Sequence, residues 1–223
     1  MFEAVIFDCD GCLIDSEVLA LEVELEALAE VGLTYDRAEF CRRFMGLSNP
    51  VFFAALDEDR RARLGEPLPP TFQDLHAERL TAAVDARLTE VAGAAAAVAR
   101  LARPKAVATS SHAAFVERKL RRVGLWDAFT PHIYTADRVG RGKPAPDLFL
   151  HAAEQLGADP AECLAIEDSQ NGVIAARAAG MTVWALTAGG HILPEDPQRL
   201  AQAGAHRIVP TWAEAGEDFA RWP

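Results

Sequence analysis

Short apolar segments alternate with amphipathic segments along most of this chain. The first apolar segment, Ala4 to Phe7, ends at an Asp-x-Asp-Gly turn. Apolar runs of this length predict buried strands, and strands that alternate with helices predict a parallel sheet covered by helices. The predicted pairs of a helix and the strand after it are 92–101 with 105–108, 113–123 with 132–134, 146–156 with 163–166, and 173–179 with 182–186.

Between residues 16 and 88 the apolar spacing is helical throughout. Helices are predicted at 16–31, 36–43, 50–64 and 71–88, with breaks at glycine and proline residues. The simplest organisation is an α/β core, residues 1–15 and 89–223, with an inserted helical cap domain, residues 16–88. The predicted fold class is therefore α/β, with a three-layer Rossmann-like parallel sheet core and an inserted all-helical cap.

The composition fits a folded protein of this kind and narrows its partners. Half of the 223 residues are hydrophobic, and 22 basic against 33 acidic residues give a net charge of −11. So acidic a surface repels nucleic acid and acidic membranes, and an anionic substrate must meet a local positive site. No apolar run is long enough to span a bilayer and no signal peptide is recognisable, which predicts a cytoplasmic protein. We expect a monomer or a small homo-oligomer.

Two acids, Asp8 and Asp10, stand at the end of the first predicted strand. Carboxylates this close repel each other when both are ionised, and either a bound cation or a retained proton relieves the repulsion. One acid could then attack an electrophilic phosphorus while the other gives a proton to the leaving oxygen. The alternative is an ordinary strand followed by an Asp-Gly turn.

Hydroxyl groups and a lysine occupy two later turns. Thr109, Ser110 and Ser111 precede a predicted helix and suit phosphate oxygens, although the same residues could form an ordinary helix cap. Lys143 lies in a loop with two prolines just before another helix. It could bind an anion there, or it could be a solvated surface charge.

A second acidic pair, Glu167 and Asp168, follows the strand at 163–166. Parallel strands bring their carboxyl ends to one edge of a sheet, so all four turns are expected to converge there. Magnesium prefers oxygen ligands, and Asp8, Asp168 and the carbonyl of Asp10 would hold it. Thr109, the Ser110 amide and Lys143 would hold a transferring phosphoryl group.

With these motifs in this order, the chain resembles the haloacid dehalogenase-like superfamily of phosphohydrolases over nearly its whole length. The motifs are Asp-x-Asp-Gly, a helical cap, a strand ending in Thr-Ser, then Lys-Pro-x-Pro-Asp and Glu-Asp-Ser-x-x-Gly. Within this superfamily, the chain looks like the branch that holds β-phosphoglucomutase and small sugar-phosphate phosphatases. The resemblance implies a Mg²⁺-dependent phosphatase that acts on a small phosphorylated metabolite, such as a sugar or sugar-acid phosphate, through an aspartyl phosphate.

The same resemblance implies roles for individual residues. Asp8 would be the nucleophile, Asp10 the general acid and base, and Thr109 and Lys143 the partners of the phosphoryl group and the nucleophile. Asp168 would be a magnesium ligand. The magnesium set would then be Asp8, Asp10 and Asp168, with Glu167 as a further contact, directly or through water.

Substrate-binding positions are expected around these groups and in the cap. They are Gly11, Ser16, Glu17, Gly46, Leu47, Ser48, Asn49, Ser110 and Ser111. Ser16 could equally be a helix cap, and Gly46, Ser48 and Asn49 could serve only as turn and cap residues.

Other functions stay open at this point. Mutases of this branch carry a cap histidine and a cap arginine where this chain has Ala20 and Asn49, which favours hydrolysis over phosphosugar mutase activity. A phosphoryl-accepting signalling module and a non-catalytic sugar-phosphate-binding protein are further alternatives. The six histidines show no paired metal spacing, so surface or core roles are expected for them.

Overall fold

The computed structural model describes residues 2–44, 47 and 49–222. The strands are β1 (Ala4–Phe7), β2 (Lys105–Thr109), β3 (Ile133–Thr135), β4 (Cys163–Glu167), β5 (Thr182–Leu186) and β6 (Arg207–Val209). The helices are α1 (Ser16–Glu30), α2 (Arg37–Phe44), α3 (Asn49–Leu64), α4 (Phe72–Arg87), α5 (Ala94–Arg100), α6 (Ala113–Arg122), α7 (Trp126–Phe129), α8 (Asp147–Leu156), α9 (Gln170–Ala178), α10 (Asp196–Gln202) and α11 (Trp212–Arg221). Short 3₁₀ helices occupy Ala136–Arg138 and Pro160–Glu162.

All six strands form one parallel sheet in the order β3-β2-β1-β4-β5-β6. The chain builds outward from β1 in one direction and then crosses back to build outward from β4 in the other. The strand order therefore reverses between β1 and β4, and ligands of such sheets bind outside the carboxyl ends of the strands at that point. The predicted Rossmann-like α/β class is confirmed.

Side chains of β1 alternate between two buried layers, as the pleat of a strand requires. Ala4 and Ile6 are fully buried in a cluster that includes apolar side chains of α8, α9 and α10. Phe7 points to the opposite face, where its ring centroid lies 5.4 Å from that of Phe129 and 5.9 Å from that of Trp212. The sheet is thus the middle layer of three, and both of its faces are dry.

The chain separates into two compact units. One consists of residues 1–17 and 88–223, which contain the whole sheet, and the other consists of residues 18–87, in which every described element is a helix. The interior of the helical unit is aromatic: the rings of Phe40 and Phe44 lie 5.0 Å apart, and Tyr35 packs edge-on against both.

Predicted and observed elements agree closely through β5 and differ at their ends. The strand predicted at 132–134 is one residue further along, at Ile133–Thr135, and α9 begins at Gln170, three residues before its predicted start. α7, β6, α10 and α11 were not predicted. Within the part of the chain that the structure describes, no helix combines the length and the apolar character needed to cross a bilayer.

Candidate active site

An acidic cluster lies at the carboxyl end of the two central strands. Asp8 follows β1, Glu167 ends β4 and Asp168 follows it, and β1 and β4 are hydrogen-bonded neighbours. One carboxylate oxygen from each of the three lies within 4.8 Å of the others, and all three side chains are buried. Burial raises the pKa of Asp8, while Lys143 opposes that rise and the neighbouring acids add to it. So much buried negative charge calls for a cation.

Lys143 supplies one positive charge. Its ammonium group forms ion pairs with Asp8 and, at 2.5 Å, with Glu167, and its side chain is only 5% exposed. Burial alone would lower the pKa of Lys143, but the two carboxylates outweigh burial and raise it. The lysine is therefore charged and faces the acids rather than solvent.

The carboxylate of Glu167 is fully hydrogen-bonded. Its Oε1 accepts from Lys143, and its Oε2 accepts from the backbone amides of Asp168 and Ser169, each at 3.2 Å, and from the Ser169 hydroxyl at 3.0 Å. The first turn of α9 crosses so close to this group that a Cβ at Gly172 would overlap the carboxylate. Glu167 thus anchors Lys143.

Asp168 differs from Glu167 because one of its oxygens has no partner. Its Oδ2 lies 2.9 Å from Nε2 of His191, whereas its Oδ1 is buried without a hydrogen-bond partner among the described residues. A buried carboxylate oxygen without a partner is costly, and a bound cation would satisfy it. Gly11 has a φ of +76°, and a Cβ there would overlap the Asp168 carboxylate, so glycine is required.

Asp10 lies in a separate group of donors. Its Oδ1 accepts from the Ser16 hydroxyl at 2.6 Å and from the ammonium of Lys119, and its Oδ2 accepts from the Ser111 hydroxyl at 2.7 Å. The Thr109 hydroxyl lies 3.4 Å from the same Oδ2. Burial raises the pKa of Asp10, but Lys119 and the hydroxyls outweigh burial and lower the pKa to about 2.

The remaining predicted residues are placed as follows. Glu17 is half-buried at the start of α1, and burial, followed by the charge of Asp10, raises its pKa to about 7. Ser110 is exposed directly after β2. Asn49 is exposed at the first residue of α3, in the helical unit, and Leu47 is exposed too. Gly46 and Ser48 lie outside the described residues.

Two side chains in this region were not among the predicted residues. Lys119 contacts Asp10 from within α6, and His191 contacts Asp168 from the loop after β5. A lysine on the apolar face of a helix was a visible signal for the first. For His191 the expectation of a surface or core role missed the contact, although the rule that ligands gather at strand ends applies to β5 as well.

Comparisons with known proteins agree with this geometry. A family model described as haloacid dehalogenase-like hydrolase matches residues 2–180. The 6-phosphogluconate phosphatase of Escherichia coli is 26% identical over 218 residues, 97% of each chain. The fructose-1-phosphate phosphatase YqaB of Escherichia coli is 33% identical over 187 residues, 81% of this chain and 94% of that protein. A HAD family hydrolase from Deinococcus radiodurans R1, crystallised with bound phosphate and sodium, is 37% identical with a TM-score of 0.84, covering 96% of this chain and 93% of that one.

Proposed function

This chain belongs to the haloacid dehalogenase-like hydrolases, and on that premise we propose that it is a Mg²⁺-dependent phosphatase that hydrolyses a small phosphorylated sugar or sugar acid through a phosphorylated Asp8. One observation carries the proposal. At the point where the strand order reverses, Asp8 lies between a charged lysine, Lys143, and an acid, Asp168, whose Oδ1 has no partner. That arrangement suits a nucleophile beside a cation site.

In the first half of the proposed cycle, a carboxylate oxygen of Asp8 attacks phosphorus in line with the leaving oxygen. The bond from phosphorus to the substrate oxygen breaks, and the departing alkoxide takes a proton from Asp10. Lys143 favours the ionised form of Asp8 against the effect of burial and, with the Thr109 hydroxyl and the Ser110 amide, offsets charge on the phosphoryl oxygens. The product is an alcohol and a phosphorylated Asp8.

In the second half, water attacks phosphorus and Asp10 accepts the proton that the water loses. The acyl phosphate bond breaks, which releases inorganic phosphate and restores the Asp8 carboxylate. Asp10 thus uses both of its protonation states in one cycle. The contacts from Lys119 and the hydroxyls lower the pKa of Asp10 to about 2, which favours its ionised state, so in this scheme a proton reaches Asp10 before or during substrate binding.

A magnesium ion fits the residues present. Asp8 and Asp168 offer hard oxygen ligands, the Oδ1 of Asp168 lacks another partner, and the backbone carbonyl of Asp10 would complete the protein's share. Because Glu167 is already fully hydrogen-bonded, it would contribute to the site through water rather than as a direct ligand. When bound, the ion supplies positive charge to the phosphoryl oxygens.

The names of the relatives support the proposed substrate class. Related phosphatases are named for 6-phosphogluconate, fructose 1-phosphate and hexitol phosphates, all small phosphorylated polyhydroxy compounds. A chain with a net charge of −11 needs the local lysines for such an anion. We propose that the helical unit is a cap domain that takes part in selecting the substrate. A cytoplasmic location, and action as a monomer or a small homo-oligomer, belong to the same proposal.

Phosphate release from a panel of sugar and sugar-acid phosphates, with MgCl₂, tests this proposal. Asp8→Asn should reduce turnover by at least about a thousand-fold, since a covalent nucleophile is removed. Asp127→Asn makes the same chemical change at an exposed site and should keep full activity. Brisk hydrolysis by Asp8→Asn would refute the assignment. Conversion of β-glucose 1-phosphate to glucose 6-phosphate, measured in parallel, would instead establish a mutase.

A further inference from the structure

Among the described residues of α6, Lys119 is the only charged residue that is buried. The buried positions of this helix are Val116, Lys119 and Leu120, and Lys119 is 5% exposed. Arg121, two residues further along the same helix, contrasts with Lys119 because it is exposed and pairs with Glu117 at 2.8 Å. A buried ammonium group costs free energy unless it is paired, so the residue that pairs with Lys119 indicates its role.

The partner is Asp10. The Lys119 ammonium contacts Asp10 Oδ1, lies 3.4 Å from the Ser111 hydroxyl, and lies 4.5 Å from the centre of the Phe115 ring. Together with Ser16 and Ser111, Lys119 makes a cradle of three donors on three separate elements around one carboxylate. A carboxylate held by donors from α1, α6 and the turn after β2 has one defined orientation.

The two buried lysines pair with different acids of the site. Lys143 pairs with Asp8 and Glu167, whereas Lys119 pairs with Asp10. A buried ion pair is weak evidence for stability, since an apolar pair of similar volume is often as good. A role in orienting Asp10 explains the pair better than a role in stability does.

We propose that Lys119 is a positioning residue that holds the Asp10 carboxylate in the orientation from which it transfers protons. This inference rests on the proposed function, in which Asp10 protonates the leaving oxygen and later accepts a proton from water. Lys119 acts through Asp10 and has no contact with substrate in this scheme. Its loss should therefore slow the chemical steps while substrate binding stays nearly unchanged.

The experiment compares Lys119→Met with Arg121→Met, which removes an exposed cation from the same helix. Lys119→Met should lower kcat on a sugar phosphate about 30-fold, with KM within about three-fold, since a positioned acid and base contributes at least this much. The loss in kcat/KM, which reports only the steps up to the phosphorylated Asp8, should be smaller with p-nitrophenyl phosphate, because its leaving oxygen needs no proton. Arg121→Met should leave both constants unchanged, and Lys119→Arg should recover part of kcat.

Several results would overturn the proposal. These are a kcat that stays within about three-fold of wild type, a loss carried by KM alone, or equal losses of kcat/KM on the two substrates. If Lys119→Met does not fold, Lys119→Gln, which can still donate a hydrogen bond to Asp10, is measured in the same way and should lose about ten-fold in kcat.

A crystal structure of Lys119→Met separates this inference from the proposed function. Asp10 should leave the hydroxyls of Ser16 and Ser111 when the lysine is absent. An Asp10 side chain that keeps both hydrogen bonds would end the positioning role. If the wild-type chain hydrolyses no phosphate ester at all, the proposed function fails, and the position of Asp10 in the variant still decides whether Lys119 holds it.

Discussion

The pKa of Glu17 makes the stability of the folded chain depend on pH. Burial, with a further contribution from Asp10, raises the pKa of this half-buried glutamate to about 7, whereas an unfolded chain has the ordinary value of 4.5. Between about pH 4.5 and 7 the folded chain therefore holds a proton that the unfolded chain has lost. The contribution of Glu17 to stability therefore falls as the pH rises through this window and is level above about pH 7.

Glu17→Gln tests this linkage, because glutamine cannot titrate. From pH 5 to pH 8 the variant should lose about 2 kcal/mol less unfolding free energy than the wild type, measured by urea denaturation in EDTA-containing buffer. Glu26→Gln changes an exposed glutamate of the same helix and should keep the wild-type pH dependence. Identical slopes for Glu17→Gln and wild type would show that Glu17 titrates normally in the folded chain.

Among the elements, α9 fixes the acidic cluster most directly. Ser169 caps this helix by accepting a hydrogen bond from the Gly172 amide, and the first turn lies against the Glu167 carboxylate. Because Glu167 in turn holds Lys143, the start of one helix determines where the charge beside Asp8 lies. A small shift of α9 should therefore move Glu167 and Lys143, and with them the positive charge beside Asp8.

Gly172→Ala should show this coupling. The new methyl group overlaps the buried Glu167 carboxylate, so stability should fall by about 1–3 kcal/mol and kcat by at least about ten-fold. Chemical denaturation and phosphate release measure the two effects. Ile174→Ala, at an exposed position of the same helix, should change both by little. A Gly172→Ala protein with wild-type stability would mean that α9 can move away from Glu167 without consequence.

The sequence predicts elements well where a pattern repeats and poorly where contacts are made at a distance. β1, β2, β4 and β5 have four or five residues, most of them apolar, and were predicted to within about a residue, but β6 has only three residues, two of them partly exposed, and was not predicted. The strand-end rule selected Asp8, Asp10 and Asp168 because they directly follow or adjoin strands. Lys119 lies in mid-helix, and only the packing of α6 brings it to Asp10.

The molecule as a whole carries more acidic than basic residues, and its candidate active site is acidic as well. The chain has 33 acidic and 22 basic residues, and the acidic cluster adds mutual repulsion that Lys143 only partly offsets. A divalent cation that binds there binds the folded chain alone, because the unfolded chain does not bring β1 and β4 together. Binding should therefore stabilise the fold in proportion to the logarithm of ion concentration.

Magnesium should raise the unfolding free energy by about 2.7 kcal/mol at a concentration a hundred times its dissociation constant, and EDTA should remove the gain.

His191→Phe should weaken magnesium binding about ten-fold, because Asp168 loses the partner that orients its carboxylate. Calorimetric titration and thermal unfolding measure both effects without reference to activity. Two controls separate binding at the site from general screening of charge. Sodium chloride at equal ionic strength, used in place of magnesium, should give a smaller gain in unfolding free energy. Glu117→Gln, which removes an exposed acid, should keep the full gain from magnesium. An equal gain from sodium chloride would mean that screening of the −11 charge, rather than an ion at Asp8 and Asp168, stabilises the molecule.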